Sequence, residues 1–334
     1  MDRPLVALVL AGGTGTRLYP ASRSDRPKQF LPLGDDQSLL TATVSRADFA
    51  DHVVVSTRPA FADEISDHAP DADVVVEPAA KDTGPALVYA THRIAELYDD
   101  PVVAVLPSDH HVGDGFAEAV VRGARVAADT DRLVAFGVEP TRPDTGYGYI
   151  EPGLDRGDYH DLDAFHEKPD ADTATRYVEE GYLWNAGMFA WTPEALFSAA
   201  TDSPLGPLVD ALDAGDIDGG FETVEPVSID YAVMERAADA AVVPVHFEWD
   251  DLGSWDALER IFDADAEGNV ALGDDPVFVD AADNVVATDG ANVSLVGVSD
   301  LAVVSWGDRV LVVPKAEAQR VRDVVARLKE RGRF

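Results

Sequence analysis

Four cations, Arg17, Arg23, Arg26 and Lys28, fall within twelve consecutive residues of a chain that holds 26 Lys and Arg among 334, where the average predicts about one. Directly before them, "LVLAGGTG" runs from a strand-like apolar stretch into Gly12, Gly13 and Gly15. Glycines let backbone N–H groups approach a phosphate with no Cβ in the way. Arg17 adds a charge-assisted contact that can be bidentate. The pattern therefore points to phosphate binding, and two familiar phosphate loops can be tested against it. A Walker A string, G-x-x-x-x-G-K-[ST], is absent. A dinucleotide fingerprint starts at Gly13 and Gly15 but has Leu18 where its third glycine belongs. The chain has no cysteine, which removes disulfides, thiolate zinc sites and a Cys nucleophile.

The elements that must carry this loop follow from periodicity. Strand patterns at Leu5–Ala11, His52–Ser56, Asp73–Glu77, Val102–Pro107 and Leu133–Gly137 alternate with helical patterns near Ser38–Ala47, Ala60–His68, Gly84–Tyr98 and Gly115–Ala127. That rhythm predicts a mostly parallel sheet flanked by helices, with ligands at the carboxyl ends of its strands. After about residue 140 the rhythm changes. Tyr147–Ile150, Ala164–Glu167 and Leu183–Trp191 read as strands, and Pro169–Glu180, Pro193–Ala200 and Ser228–Arg236 as helices. From Asn269 to Pro314 short strands and turns suggest a small β module, and Val321, Val324, Val325 and Leu328 give Ala316–Arg331 a helical stripe. The expected division is a catalytic domain over 1–264 and a β-rich module with a closing helix over 265–334. No long-period repeat stands out.

Bulk composition narrows the partners. The net charge is −36, from 62 acidic and 26 basic residues, and only five of the latter are Lys. Such a surface repels nucleic acid and anionic membranes. No apolar run approaches the ~20 residues that span a bilayer, and the N-terminus lacks the layout of a signal peptide. The expectation is a cytoplasmic protein. At ~1 M salt the Debye length is about 3 Å, so this charge suits a salt-accumulating, halophilic host.

"GGTGTRLYPASRSDRPKQFLPL" resembles the signature of the sugar-1-phosphate nucleotidylyltransferase family, and its Lys-Gln-Phe-Leu ending resembles the mannose-1-phosphate guanylyltransferase branch. The resemblance continues, in the family's order, through "EPAAKDTGPAL", "LPSDHHV", "TGYGYIEPG", "FHEKPD", "WNAGMFAW", "SIDYAVMER" and "WDDLGSWDAL", across about 260 residues. Any one of these strings is weak, and eight in order are specific. The resemblance implies a Rossmann-like (GT-A type) α/β fold with a small C-terminal module like a left-handed β-helix.

It also implies a reaction and its residues. A sugar-1-phosphate oxygen attacks the α-phosphorus of GTP and pyrophosphate leaves. The nucleophile is a phosphate monoester with a second pKa of ~6, already ionised at neutral pH, so no general base is required. Positioning and electrostatics carry such a transfer. Mg2+ or another divalent cation suits it, since magnesium takes one or two carboxylates plus substrate phosphates. By resemblance Asp109 and Asp251 are those carboxylates, with Asp250 the alternate to Asp251. Arg17 and Lys28 would grip the triphosphate. Gly12, Gly13, Gly15, Thr16, Lys81, Asp82, Pro85 and Ser108 would line the nucleotide. Gly146, Glu167, Lys168, Asn185 and Gly187 would hold the sugar phosphate.

The branch usually has Arg-Asn-Thr-Ala-Pro-Ala where this chain has Lys81-Asp82-Thr83-Gly84-Pro85-Ala86. An ionised Asp82 only accepts hydrogen bonds; it can pair with guanine N1–H and its exocyclic amine, or stay outside the pocket. His110 and His111 are assigned supporting roles, and Arg23 and Arg26 partly structural ones. Three readings stay open: GTP with mannose-1-phosphate, UTP or dTTP with glucose-1-phosphate, and a non-catalytic subunit that senses a nucleotide sugar. The C-terminal module is expected to cap the catalytic domain or to support a homodimer.

Overall fold

The computed structural model describes residues 2–34, 37–273 and 275–334. In chain order its strands are β1 (Leu5–Leu10), β2 (His52–Thr57), β3 (Asp73–Val76), β4 (Val102–Pro107), β5 (His111–Val112), β6 (Leu133–Val138), β7 (Tyr149–Asp155), β8 (His160–His166), β9 (Leu183–Trp191) and β10 (Ala240–Val245), then β11 (Trp249–Asp250) and β12 (Val270–Leu272). They continue with β13 (Val277–Val279), β14 (Val285–Thr288), β15 (Ser294–Val296), β16 (Leu301–Trp306) and β17 (Arg309–Pro314). The chain forms two compact units, one from Met1–Gly12, Thr43–Pro107 and Val112–Glu248, the other from Gly13–Ala42, Ser108–His111 and Trp249–Phe334.

The first unit holds a nine-stranded sheet in the order β3-β2-β1-β4-β9-β6-β10-β8-β7. β1 is apolar at every position and nearly all buried, as a strand covered on both faces must be. It pairs in parallel with β2 and β4, and β2 with β3. The expected α/β class is borne out. β9 enters antiparallel between β4 and β6, and β8 and β7 continue antiparallel, so the parallel half is the one that carries the glycine loop. Leu10 of β1 lies opposite Pro107 of β4. The chain therefore leaves neighbouring strand ends toward Gly13 and toward Ser108.

Helices α1 (Leu39–Arg46), α2 (Ala62–His68), α3 (Thr83–Leu97) and α4 (Phe116–Thr130) stand where the periodicity places them. So do α5 (Ala171–Glu179) and α6 (Pro193–Thr201). β10 was not among the expected strands because Pro244 interrupts it. Its pairing to β8 covers only Ala241 and Val242, ending before the proline, while β6 pairs along its whole length. Two further helices, α7 (Gly206–Asp213) and α8 (Ile217–Thr223), also escape the pattern, since glycines at 206, 219 and 220 weaken the helical signal. The expected helix at Ser228–Arg236 is a π-helix over Asp230–Met234.

The second unit contains a parallel coil. Val270, Val285 and Ala302 are stacked in register through β12, β14 and β16, and β13 pairs in parallel with β15. Two buried asparagines repeat with it. Asn269 accepts from the Asn284 backbone and side chain at 3.1 and 3.0 Å, and Asn284 accepts from Leu301 N–H at 3.1 Å. So a repeat is present, carried by too few positions to stand out in sequence. After α9 (Leu258–Ile261) and the coil, α10 (Val321–Glu330) closes the chain. The second unit draws its core from both ends of the chain. Leu18, Tyr19, Leu31 and Leu33 share one core with Trp255, Val270, Val285, Val304 and Val325.

Candidate active site

In the second unit the glycine loop turns at Gly15, whose φ of +63° favours glycine. A Cβ there would lie 2.6 Å from the Lys28 side chain, so this glycine also makes room for that lysine. Leu18 N–H donates to Gly15 O at 3.0 Å, closing a 3-10 turn over Thr16–Leu18 that presents Arg17. Pro27 opens a second such turn at Lys28–Phe30. Gln29 and Phe30 are buried, which anchors the backbone under Lys28.

These turns bring the four predicted catalytic side chains together. The Lys28 ammonium pairs with Asp109 Oδ2 and donates to Asp251 O at 3.5 Å. Arg17 Nη2 lies 3.8 Å from Asp251 Oδ2. Burial pushes the Asp251 carboxyl up, but Lys28, Arg17 and His110 outweigh it and hold the group below its ordinary value. Asp251 is therefore an anion beside two cations. Asp250 is committed elsewhere, receiving Arg260 Nε at 2.6 Å and Leu252 N–H at 3.1 Å. Of the two adjacent aspartates, Asp251 is the one turned to the cation cluster. Arg23 and Arg26 are structural: Arg23 donates to Trp306 O and pairs with Asp308, and Arg26 donates to Ala21 O.

His110 receives Trp249 Nε1–H on Nδ1 at 3.2 Å, and burial pushes its imidazole down against the pull of Asp109 and Asp251. Its ring lies beside both carboxylates. Among the described residues no cluster of three or more His, Cys, Asp or Glu forms a closed metal cage. Two carboxylates with neighbouring cations suit an ion that takes its remaining ligands from substrate phosphates, so the donor set fits a divalent cation shared with a nucleotide.

The first unit holds the residues predicted for the sugar phosphate. Glu167, Asn185 and the Gly148 backbone converge: a Cβ on Gly148 would lie 3.6 Å from Glu167 Oε2 and 3.8 Å from Asn185 Cβ. Lys168 pairs with Glu167 at 3.2 Å, both exposed. Gly187 N–H donates to Asn185 Oδ1 at 3.0 Å in a left-handed turn, φ +64°. The Gly146 N–H is already given to Asp144 Oδ1 at 2.8 Å. Ser108, in the second unit, is buried next to Asp109 in the chain.

Lys81 and Asp82 each make one structural hydrogen bond. Lys81 Nζ donates to Val224 O at 3.0 Å, and Asp82, at φ 72°, caps α3 by accepting Thr83 N–H at 2.7 Å. Pro85 is buried in the first turn of that helix. Glu77 is the buried acid of this segment, 5 % exposed, with a carboxyl that burial pushes up to about 7. Its Oε1 lies 3.2 Å from where a Cβ on Gly12 would stand.

Two further residues of the cation cluster escape sequence reasoning. Gln319 accepts Arg17 Nη1–H at 2.8 Å and donates to Ser254 Oγ at 3.2 Å, so a residue from the C-terminal segment holds the loop arginine. Gly253 donates its N–H to Asp251 Oδ1 at 3.0 Å. A Cβ on it would fall 2.6 Å from Asp251 Oδ2 and 2.7 Å from Arg17 Nη2. Gly253→Ala is expected to push these groups apart and lower turnover by about tenfold or more, with little change in a thermal melt; equal turnover would show that the close approach is idle.

Residues 6–268 match the Nucleotidyl transferase family and residues 274–328 the MannoseP isomerase/GMP-like beta-helix domain. The chain belongs to the Nucleotidyl transferase family. It is 38 % identical to Xanthan biosynthesis protein XanB of Xanthomonas campestris pv. campestris over 98 % of this chain and 74 % of that one. It is 37 % identical to mannose-1-phosphate guanylyltransferase of Escherichia coli K12, again over 98 % and 74 %. A crystal structure described as mannose-1-phosphate geranyltransferase from Thermus thermophilus superposes with a TM-score of 0.91 at 38 % identity, covering 98 % of this chain and 99 % of that one.

Proposed function

We propose that this chain transfers GMP from GTP to mannose-1-phosphate, giving GDP-mannose and pyrophosphate. The observation that carries the reading is the meeting of Arg17, Lys28, Asp109 and Asp251 in one cluster. The mannose-1-phosphate guanylyltransferase relatives support the choice of substrates. Arg17 and Lys28 bind the triphosphate and balance charge on the departing pyrophosphate. The N–H groups of Gly12, Gly13, Gly15 and Thr16 add to that grip. Asp109 and Asp251 would hold Mg2+, which supplies positive charge against phosphate oxygens when bound. Lys168 receives the sugar phosphate, and Glu167 with the Asn185–Gly187 turn receives the sugar. The sugar phosphate enters already ionised, so no side chain needs to remove a proton.

Guanine falls to the Glu77–Pro85 segment. Asp82 is occupied as a helix cap, which leaves Glu77 as the better acceptor there for guanine N1–H and its amine. A panel of GTP, ATP, UTP and dTTP against mannose-1-phosphate and glucose-1-phosphate, read by pyrophosphate release, tests the reading. GTP with mannose-1-phosphate is expected to exceed every other pair. Preference for UTP or dTTP with glucose-1-phosphate would replace it, and no release from any pair would revive the sensing reading.

Among the described residues no helix is long and apolar enough to cross a membrane, consistent with work in the cytoplasm. The −36 charge supports a halophilic setting. Activity and thermal stability are both expected to rise from ~50 mM to ~2 M KCl as repulsion is screened. A chain fully active and folded at the lower salt would remove that part of the proposal.

A further inference from the structure

The sugar-end residues lean on a carboxylate the reaction leaves without a task. Asp230 opens the π-helix, and its Oδ1 accepts Asn185 Nδ2–H at 2.7 Å. Asn185 is nearly fully committed. Its Oδ1 receives Gly187 N–H at 3.0 Å, and its own N–H donates to Gly148 O at 2.9 Å. A Cβ on Gly187 would meet nothing within 4 Å, so that glycine serves the left-handed backbone and not a tight fit. The turn is thus set by the Asn185 amide, and the amide by Asp230.

Asp230 is itself held from the nucleotide-reading segment. Val227 N–H donates to Lys81 O at 3.2 Å, Gly84 N–H to Val227 O at 2.9 Å, and Ile229 N–H to Thr83 Oγ1 at 3.0 Å. Glu235 N–H then closes the π turn on Asp230 O at 2.8 Å. Burial and the Glu167 carboxylate push the Asp230 carboxyl up, against the Asn185 hydrogen bond and Lys168, and Glu235 adds a further acid nearby. A carboxyl placed this way is costly to fold around. An apolar residue would pack at lower cost, but it could not orient an amide.

We propose that Asp230 is the positioning residue of the sugar end: it fixes Asn185, and through Asn185 the Gly187 turn, so that the sugar phosphate is bound in one pose. This rests on the functional reading above.

Asp230→Ala is expected to raise KM for mannose-1-phosphate about tenfold or more, while KM for GTP stays within about twofold. Asp230→Asn keeps an acceptor oxygen and falls between. Asn185→Asp faces two carboxylates and behaves like Asp230→Ala. The paired change Asn185→Asp with Asp230→Asn reverses donor and acceptor while leaving an oxygen for Gly187 N–H, and it restores KM to within about threefold. If Asp230→Ala fails to fold, the swapped pair and the isosteric Asp230→Asn still decide the matter. Equal rises in both KM values, or a swapped pair no better than Asn185→Asp alone, would overturn the inference. So would a wild type that turns over while Asp230→Ala keeps its KM; the functional reading would survive that result. A wild type inert toward both substrates would instead sink the functional reading, and this inference with it.

Discussion

Asp251→Asn is expected to leave a folded chain that turns over about a thousandfold more slowly. The fold survives because an Asn oxygen can still accept Gly253 N–H, the backbone hydrogen bond that the Asp251 carboxylate receives at 3.0 Å. What is lost is the negative charge that Lys28, Arg17 and His110 hold ionised, and with it half of the carboxylate pair that would carry the divalent ion. The neighbouring substitution separates chemistry from structure. Asp250 is 5 % exposed and joined to Arg260, so Asp250→Asn is expected to lower the melting temperature by several degrees, at about 1–3 kcal/mol. Its turnover should fall less than about tenfold. Steady-state rates and thermal melts on the two variants read both effects. Interchanged results would mean that Asp250 holds the ligand.

Lys28→Met is expected to cut kcat/KM by about a hundredfold or more, and to do something that a plain loss of affinity would not. The Lys28 ammonium lies on Asp109 and on the Asp251 backbone oxygen. It therefore stands where a free cation would be drawn. Removing it takes a cation from Asp109 and from the Asp251 backbone oxygen, while Arg17 stays 3.8 Å from the Asp251 carboxylate. Mn2+ binding without nucleotide, followed by electron paramagnetic resonance, should tighten by about tenfold. Lys28→Arg keeps the charge and should bind Mn2+ as the wild type does. Unchanged or weaker Mn2+ binding in Lys28→Met would mean that the lysine and the ion do not share those carboxylates.

Much of this was legible in the chain because the responsible signals are local. The apolar run of β1, the glycines after it and four cations in twelve residues are a pattern of near neighbours. Asp109 and Asp251 came from motif context, and neither spacing nor periodicity would have joined residues so far apart. Other features were not legible in the sequence, some because the partner lies far along the chain and some because the local pattern hides them. Lys81 reads as a nucleotide contact, and only the fold shows that its ammonium also donates to the Val224 carbonyl. Asp82 is drawn into capping α3 by a backbone conformation that no pattern announces. Gln319 sits in a segment with no visible chemistry, and only folding brings it to Arg17. β10 was hidden by Pro244, whose missing N–H is tolerated past the end of the β8 pairing. The asparagine stack at 269 and 284 escaped because two residues do not make a visible repeat.

The claim on which the account stands is that Arg17, Lys28, Asp109 and Asp251 act as one unit, and a double-mutant cycle tests it most directly. Turnover is measured for Asp109→Asn, for Asp251→Asn and for both together, with saturating GTP, mannose-1-phosphate and Mg2+. If the two carboxylates serve one ion, the double variant is expected to be about as slow as the slower single one, since the second change removes what the first has already disabled. Losses that multiply would contradict that claim and would mean that the two aspartates serve separate tasks.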